Sequence, residues 1–142
     1  MRALLDTNVI IDVLQQREPW FEAGSKVFLA IANDVIKGCL TAKEIADLHF
    51  FSRKQFKGQE NVDSLARDVV AKLMSLFEVI DTLSEDCQTA LGIGNHDFED
   101  AMMIASAQRA CVDCIVTRDP DHYRDAKIPV YDPKKFLKKV NI

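Results

Sequence analysis

Short apolar runs alternate along the chain with longer stretches in which apolar residues return every three or four positions. The runs are too short for helices and predict strands near 2–5, 38–41, 77–80 and 113–117, with a further short strand near 128–131. Helical periodicity predicts helices over 8–16, 20–36, 43–56, 60–76, 84–92, 98–110 and 133–140. Strands and helices that alternate in this way imply a mainly parallel sheet of about five strands, covered on both faces by helices in a three-layer α/β/α sandwich. Two helices in succession between the second and third strands, joined by the polar link from Arg53 to Gln59, predict a helical flap at about 43–76 within a single domain spanning 1–142. Pro19, Gly58, Gly92, Gly94 and Pro120 mark turns and helix ends. Gly92-Ile93-Gly94 lacks the third glycine, the lysine and the preceding strand of a phosphate-binding loop.

Composition narrows the function classes. A length of 142 residues with 48% hydrophobic content suits one domain with an ordinary core. No apolar run approaches the 18 or so residues of a membrane span, and the first residues enter a strand without a signal-peptide core, so a soluble cytoplasmic protein with no membrane partner is expected. Eighteen basic residues against twenty-two acidic ones give a net charge of −4. A polyanionic partner must therefore be met by a local basic patch, and weak non-specific binding to duplex DNA is a poor candidate for the main activity. Cys111 and Cys114 form a lone Cys-x-x-Cys, while Cys39 and Cys87 stand apart with no second pair for a zinc ribbon, so that buried or half-buried structural thiols are expected at this pair ahead of metal or redox chemistry.

Four acids, Asp6, Glu44, Asp100 and Asp119, fall where a predicted strand or loop hands over to the next element. Each has a local explanation to set against a functional one. Thr41-Ala-Lys-Glu44 reads as a capping box, Asp97-Phe-Glu-Asp100 puts Asp97 at an N-cap with Asp100 in the first turn, and Thr82-Leu-Ser-Glu85 offers the same box without any claim to chemistry. Taken together the four read differently. Neighbouring strand ends lie about 4.8 Å apart, ligands in open α/β sheets bind at those ends, and carboxylates crowded there repel one another unless a cation neutralises them. Hard oxygen ligands without histidine or cysteine at ligand spacing suit Mg²⁺ or Mn²⁺ rather than Zn²⁺.

Leu-Leu-Asp6-Thr7-Asn8, Thr41-Ala-Lys-Glu44-Ile, Asp97-Phe-Glu-Asp100-Ala-Met-Met-Ile-Ala-Ser-Ala and Ile115-Val-Thr117-Arg118-Asp119, in this order, resemble the motifs of a PIN domain from about residue 2 to about residue 131. The resemblance implies a PIN-like fold and a Mg²⁺- or Mn²⁺-dependent ribonuclease of the VapC-like toxin kind, with single-stranded RNA as substrate and an antitoxin protein as partner. It makes Asp6, Glu44, Asp100 and Asp119 the catalytic, metal-binding acids. Relatives often carry Asn at the fourth position, and Asp121 could share that role. Asp97, Asn8 and Thr117 become supporting residues, although turn and cap chemistry explains the last two about as well. Arg118 and Lys43 could each meet a backbone phosphate, against a solvated-charge reading for Lys43.

Other residues carry weaker expectations. Arg53, Lys54 and Lys57 on the flap, and Lys134, Lys135, Lys138 and Lys139 near the end, are usable basic patches. Asp12 is expected on the exposed face of the first helix, and His96 as a loop residue beside Asp97. Trp20, Phe21, Phe28, Phe50 and Phe51 are expected in the core or a partner groove rather than as a stacking platform. By family analogy, the helix pair 8–16 and 20–36 is where a homodimer or an antitoxin helix would dock. Two rival readings are a catalytically silent PIN-fold module that binds RNA or acts as a scaffold, and, further off, a haloacid dehalogenase-type phosphatase. The phosphatase would want an acid where this chain has Asn8.

Overall fold

A computed structural model of the chain describes residues 1–94 and 97–142, so that His96 lies outside the described residues. The strands are β1 (Arg2–Leu5), β2 (Lys37–Thr41), β3 (Glu78–Ile80), β4 (Cys114–Val116) and β5 (Val130–Tyr131). They pair in the order β3-β2-β1-β4-β5, and every pairing is parallel. Around them run α1 (Thr7–Leu14), α2 (Phe21–Ala32), α3 (Ala42–Gln55), α4 (Val62–Leu76), α5 (Ser84–Leu91), α6 (Phe98–Arg109) and α7 (Pro133–Lys139), with a 3-10 helix at Pro120–Tyr123.

The alternation of side chains along β1 divides the interior in two. Ala3 and Leu5 face a cluster with Leu40, Val116 and residues of α1, α2, α3, α4 and α7, while Leu4 faces the opposite cluster with Cys39, Ile115 and residues of α6. Both faces are covered, which is why the central strands read as unbroken apolar runs. Gly38 in β2 is a point of close approach: a Cβ there would stand 2.5 Å from Ile31 Cδ1 and 2.7 Å from Phe77 Cδ1.

Helix ends differ from expectation for local reasons. α2 stops at Ala32 rather than near 36, because Asn33 and Asp34 turn the chain, Asp34 at φ 55°. Asn and Asp tolerate that left-handed geometry better than most residues. The Thr82 box does not form. α5 starts one residue later, and Asp86 accepts from the Leu83 N–H (2.9 Å) while Thr82 Oγ1 accepts from the Lys43 N–H at the start of α3 (3.2 Å). Asp86 is buried, and Arg109 and Ser106 donate to it at 2.7–3.0 Å. Burial pushes its carboxyl up, and the Arg109 guanidinium, with the Leu83 amide and Ser106, more than reverses this.

β1 is the switch point, since the chain runs β1, β2, β3 to one side and β4, β5 to the other. Sheets of this kind open a crevice at the carboxyl ends of the strands flanking such a point. Here that crevice lies beyond β1, β2 and β4.

Candidate active site

Asp6 follows β1 directly. Its N–H still completes the ladder to Val116 O (2.8 Å), and its carbonyl accepts from Val9 N (3.0 Å), but its side chain caps nothing. The carboxylate instead accepts from Thr117 Oγ1 at 2.7 Å. Thr117, fully buried after β4, is fixed in turn by its amide on Tyr131 O. Asn8 spans the same corner: its Nδ2 donates to Thr117 Oγ1 (3.3 Å) and Asp119 Oδ2 (3.4 Å), and its Oδ1 accepts from the Arg118 N–H (3.2 Å).

Glu44 is buried at 1% exposure by the box that caps α3. Its Oε2 accepts from the Thr41 N–H (2.8 Å) and hydroxyl (3.2 Å), and its Oε1 accepts from Thr7 Oγ1 (3.1 Å). Asp100 lies in the first turn of α6, where its N–H donates to Asp97 Oδ1 (3.2 Å), so Asp97 is the N-cap expected from sequence. His122 Nδ1 stands 3.7 Å from Asp100 Oδ2.

Asp6, Glu44 and Asp100 line one crevice together with Thr7, Lys43 and Tyr123. Its electrostatics are those of crowded acids. Burial pushes the Glu44 carboxyl up to about 8, with Asp6 adding to the rise against the hydrogen bonds of Thr41 and Thr7. Burial, then Asp97 and Asp6, raise Asp100 to about 6. Asp6 is raised by burial, with the Thr117 hydrogen bond opposing and Asp119 adding to the rise. Lys43, which lines the same crevice, is already engaged, since its Nζ lies 2.6 Å from Asp47 and 3.0 Å from Glu99.

The remaining candidates stand further out. Asp119 does not line the crevice. It is half exposed beside Asn8, with Arg118 Nε at 3.8 Å, near enough to add to the rise of Asp6. Asp121 is exposed on the 3-10 helix. Arg118 turns to Asp12, donating at 2.8 Å, and stacks 4.4 Å from the centroid of the Trp20 ring. Asp12 is thus a correction. It is buried at 2% exposure, because the arginine that pairs with it arrives from the far end of β4.

Two residues of this region were missed. Tyr123 is buried at 1% exposure with no hydrogen-bond partner for its hydroxyl among the described residues, and burial followed by Asp6, Asp100 and Glu44 raises its pKa strongly. A lone aromatic residue in the polar segment Arg118–Lys127 was the available signal. His122 beside it had none. Of the aromatic residues expected in the core or a groove, Phe28 and Phe51 pack against the core, while Trp20 (41%) and Phe50 (57%) remain exposed. Cys114 is buried in β4, where burial pushes its thiol up to about 12, but Cys111 is exposed rather than buried, and all four cysteines are free.

The donor set suits a hard divalent cation. It offers one buried and two half-buried carboxylates, an excess of negative charge whose neighbouring lysine, Lys43, is already paired with Asp47 and Glu99, and a buried hydroxyl, Tyr123 Oη, without a hydrogen-bond partner among the described residues. Among the described residues, no group of three or more His, Cys, Asp and Glu side chains is arranged to hold an ion as it stands. Mg²⁺ is ordinarily held by one or two carboxylates with water completing its shell, and that demand is compatible with this crevice. No helix among the described residues is long and apolar enough to cross a membrane.

A family model described as "PIN domain" matches residues 2–121. No curated protein matches the chain in sequence. Among solved structures, the chain is similar to FitAcB from Neisseria gonorrhoeae, with TM-score 0.71 and 18% identity over 93% of this chain and 98% of that one. It is similar to a DNA-bound VapBC from Salmonella typhimurium, with TM-score 0.66 and 18% identity over 94% and 98%. VapBC2 from Rickettsia felis, bound to a DNA fragment from its promoter, has TM-score 0.64 and 12% identity over 93% and 98%.

Proposed function

The chain belongs to the PIN domain family, and from that premise we propose that it is a Mg²⁺- or Mn²⁺-dependent endoribonuclease that hydrolyses phosphodiester bonds in single-stranded RNA, as the cytoplasmic toxin of a toxin–antitoxin pair. The observation that carries the reading is the crevice in which buried Glu44 and half-buried Asp6 and Asp100, from three separate elements, converge, while the lysine on its wall, Lys43, is paired with Asp47 and Glu99. Such an arrangement is unfavourable for the protein alone and becomes favourable when a divalent ion binds. The partner assignment is supported by the toxin–antitoxin assemblies among the similar structures, and a homodimer belongs to the same proposal.

Asp6 and Asp100 would hold the central ion, with Glu44 and Asp119 orienting water or a second ion. A bound ion of this kind lowers the pKa of its water and screens charge on the phosphate during in-line displacement. The chain's own part is positioning. Thr117 fixes one oxygen of Asp6, Asn8 ties Asp119 to the same corner, and the Thr41 and Thr7 donors orient Glu44 so that its freedom is lost on folding rather than on binding. Burial raises the Glu44 carboxyl to about 8, so a bound cation would favour its ionised form and would be taken up with release of a proton. Lys43, bridging Asp47 and Glu99 at the crevice wall, is the cation nearest an incoming phosphate, and Arg118 is held back by Asp12.

The test is cleavage of a labelled single-stranded RNA with Mn²⁺, alone, with EDTA, and by the Asp6→Asn variant. Cleavage by the wild type only, abolished by EDTA, is the expected result. Retained cleavage in Asp6→Asn would remove Asp6 from the site. Failure of the wild type to bind Mn²⁺ at millimolar concentration would favour a catalytically silent module.

A further inference from the structure

Phe50 belongs to two grooves at once. On one side it lines the acidic crevice with Lys43 and Asp47, and on the other it lines an apolar-floored groove with Arg53, Lys54, Lys57, Gly58 and Val62. Lys43, Asp47, Phe50 and Lys54 recur at spacings of three and four and so form one stripe along α3. That stripe leads from Glu44 in the crevice to a basic end about 15 Å away.

Arg53, Lys54 and Lys57 are exposed and have no ion-pair partner among the described residues, while the nearby Asp63 is taken by Arg67 (2.7 Å) and His49 (3.3 Å). Compensation of the α3 dipole accounts for Arg53 and Lys54 in the last turn. It does not account for Lys57 beyond the helix, nor for an aromatic ring left 57% exposed with Lys54 Nζ 4.7 Å above one face. On a protein of net charge −4, a polyanion is met at local basic patches such as this one.

We infer that this groove is the track of the RNA strand flanking the scissile bond, with Phe50 stacking a base at the junction and Arg53, Lys54 and Lys57 meeting the backbone phosphates. The inference rests on the proposed ribonuclease reading and gives it a direction: the strand leaves the crevice along α3 toward the loop at Gly58. Phosphate contacts of this kind confer affinity without sequence preference, and aromatic stacking is likewise tolerant of sequence.

The experiment measures binding of a fluorescent single-stranded RNA to the Asp6→Asn protein by anisotropy over a range of salt concentrations. Each phosphate neutralised on a single strand contributes about 0.7 to the slope of log affinity against log salt. The triple variant Arg53→Gln, Lys54→Gln, Lys57→Gln is therefore expected to lower that slope by about 2, and to weaken binding equally for RNAs of unrelated sequence. Phe50→Ala is expected to weaken it about fivefold or more without changing the slope. These are surface substitutions, and unchanged melting temperatures would exclude misfolding as the cause. Unchanged affinity and slope in the triple variant would overturn the track, even where the wild type cleaves RNA. Poly-glutamate displacing RNA with equal avidity per charge would overturn it too, by assigning the patch to an acidic protein partner. Absence of RNA cleavage by the wild type would instead sink the ribonuclease reading itself, which keeps the two failures apart.

Discussion

Glu44→Gln isolates the cost of burying an acid in the crevice. The Glu44 carboxyl is pushed up to about 8 from an ordinary 4.5, mainly by burial. An acid whose pKa is higher in the folded than in the unfolded state binds its proton more tightly when folded. Its contribution to stability is therefore full below pH 4.5, falls as pH rises, and levels off above pH 8. Between pH 6 and pH 8 the loss comes to about 2 kcal/mol. Asp100, raised to about 6, adds only a few tenths of a kcal/mol over that range. The glutamine variant keeps the box, because its oxygen can replace Oε2 as acceptor from Thr41 and its amide nitrogen can donate to Thr7 Oγ1. It carries no titrating proton.

Thermal melts in EDTA at pH 6, 7 and 8, at constant ionic strength, read this directly. The wild type should lose about 7 °C from pH 6 to pH 8, at an unfolding entropy near 2.1 cal/mol/K per residue, while Glu44→Gln stays nearly level. Saturating Mn²⁺ should flatten the wild-type curve as well, and calorimetry at pH 7 in buffers of different ionisation enthalpy should register about one proton released per ion bound. Parallel curves for the two proteins in EDTA would refute the reasoning, since the buried carboxyl would then not be the group that titrates.

Arg118→Met strands Asp12, which is 2% exposed; because water still reaches Arg118, the cost should be about 2 kcal/mol, below the 3–5 kcal/mol of a fully buried pair, and a change under 0.5 kcal/mol in denaturant melts would contradict the pairing. Tyr123→Phe removes a hydroxyl that has no hydrogen-bond partner among the described residues, so stability in EDTA should stay within about 1 kcal/mol of wild type, and a loss above 2 kcal/mol would mean that the hydroxyl bonds a crevice carboxylate. Gly38→Ala drives a methyl group into Ile31 and Phe77 and should cost about 1–3 kcal/mol, measured as a lower urea midpoint at unchanged m.

The strands were legible because each is an apolar run bounded by polar residues, and all five fall close to their expected positions. The helices were legible by period, with errors at the ends where a single residue such as Asp34 adopts a left-handed turn. What sequence did not carry is the pairing of residues distant along the chain. Asp12 has a helical position that fits solvent, and only the arrival of Arg118, 106 residues later, makes a buried carboxylate tolerable there. Asp86 and Arg109, 23 residues apart, repeat the case and shift the start of α5 away from the Thr82 box. Tyr123 lies in a four-residue 3-10 helix, too short for any period to show.

Capping α3 and lining the crevice are not alternatives for Glu44. The box that caps α3 forms in full, with Thr41 and Glu44 each satisfying the other's amide, and the same carboxyl lines the crevice with Asp6 and Asp100. Each hydrogen bond that the cap provides holds the carboxyl in one orientation, and the burial that the cap imposes raises its pKa. Asp132 on α7 caps its helix in the same way but does not line the crevice. The distinction that matters is therefore burial beside another acid, and it depends on which strand ends the fold brings together. Since β4 pairs directly with β1 on the side away from β2 and β3, Asp6 at the end of β1 meets Thr117 at the end of β4 through topology alone. A circular permutant that keeps the strand order should therefore keep the raised Glu44 pKa, read as the same loss of melting temperature between pH 6 and pH 8, whereas Leu4→Ala, which loosens β1 between β2 and β4, should lower stability by about 2–5 kcal/mol and the pH dependence with it.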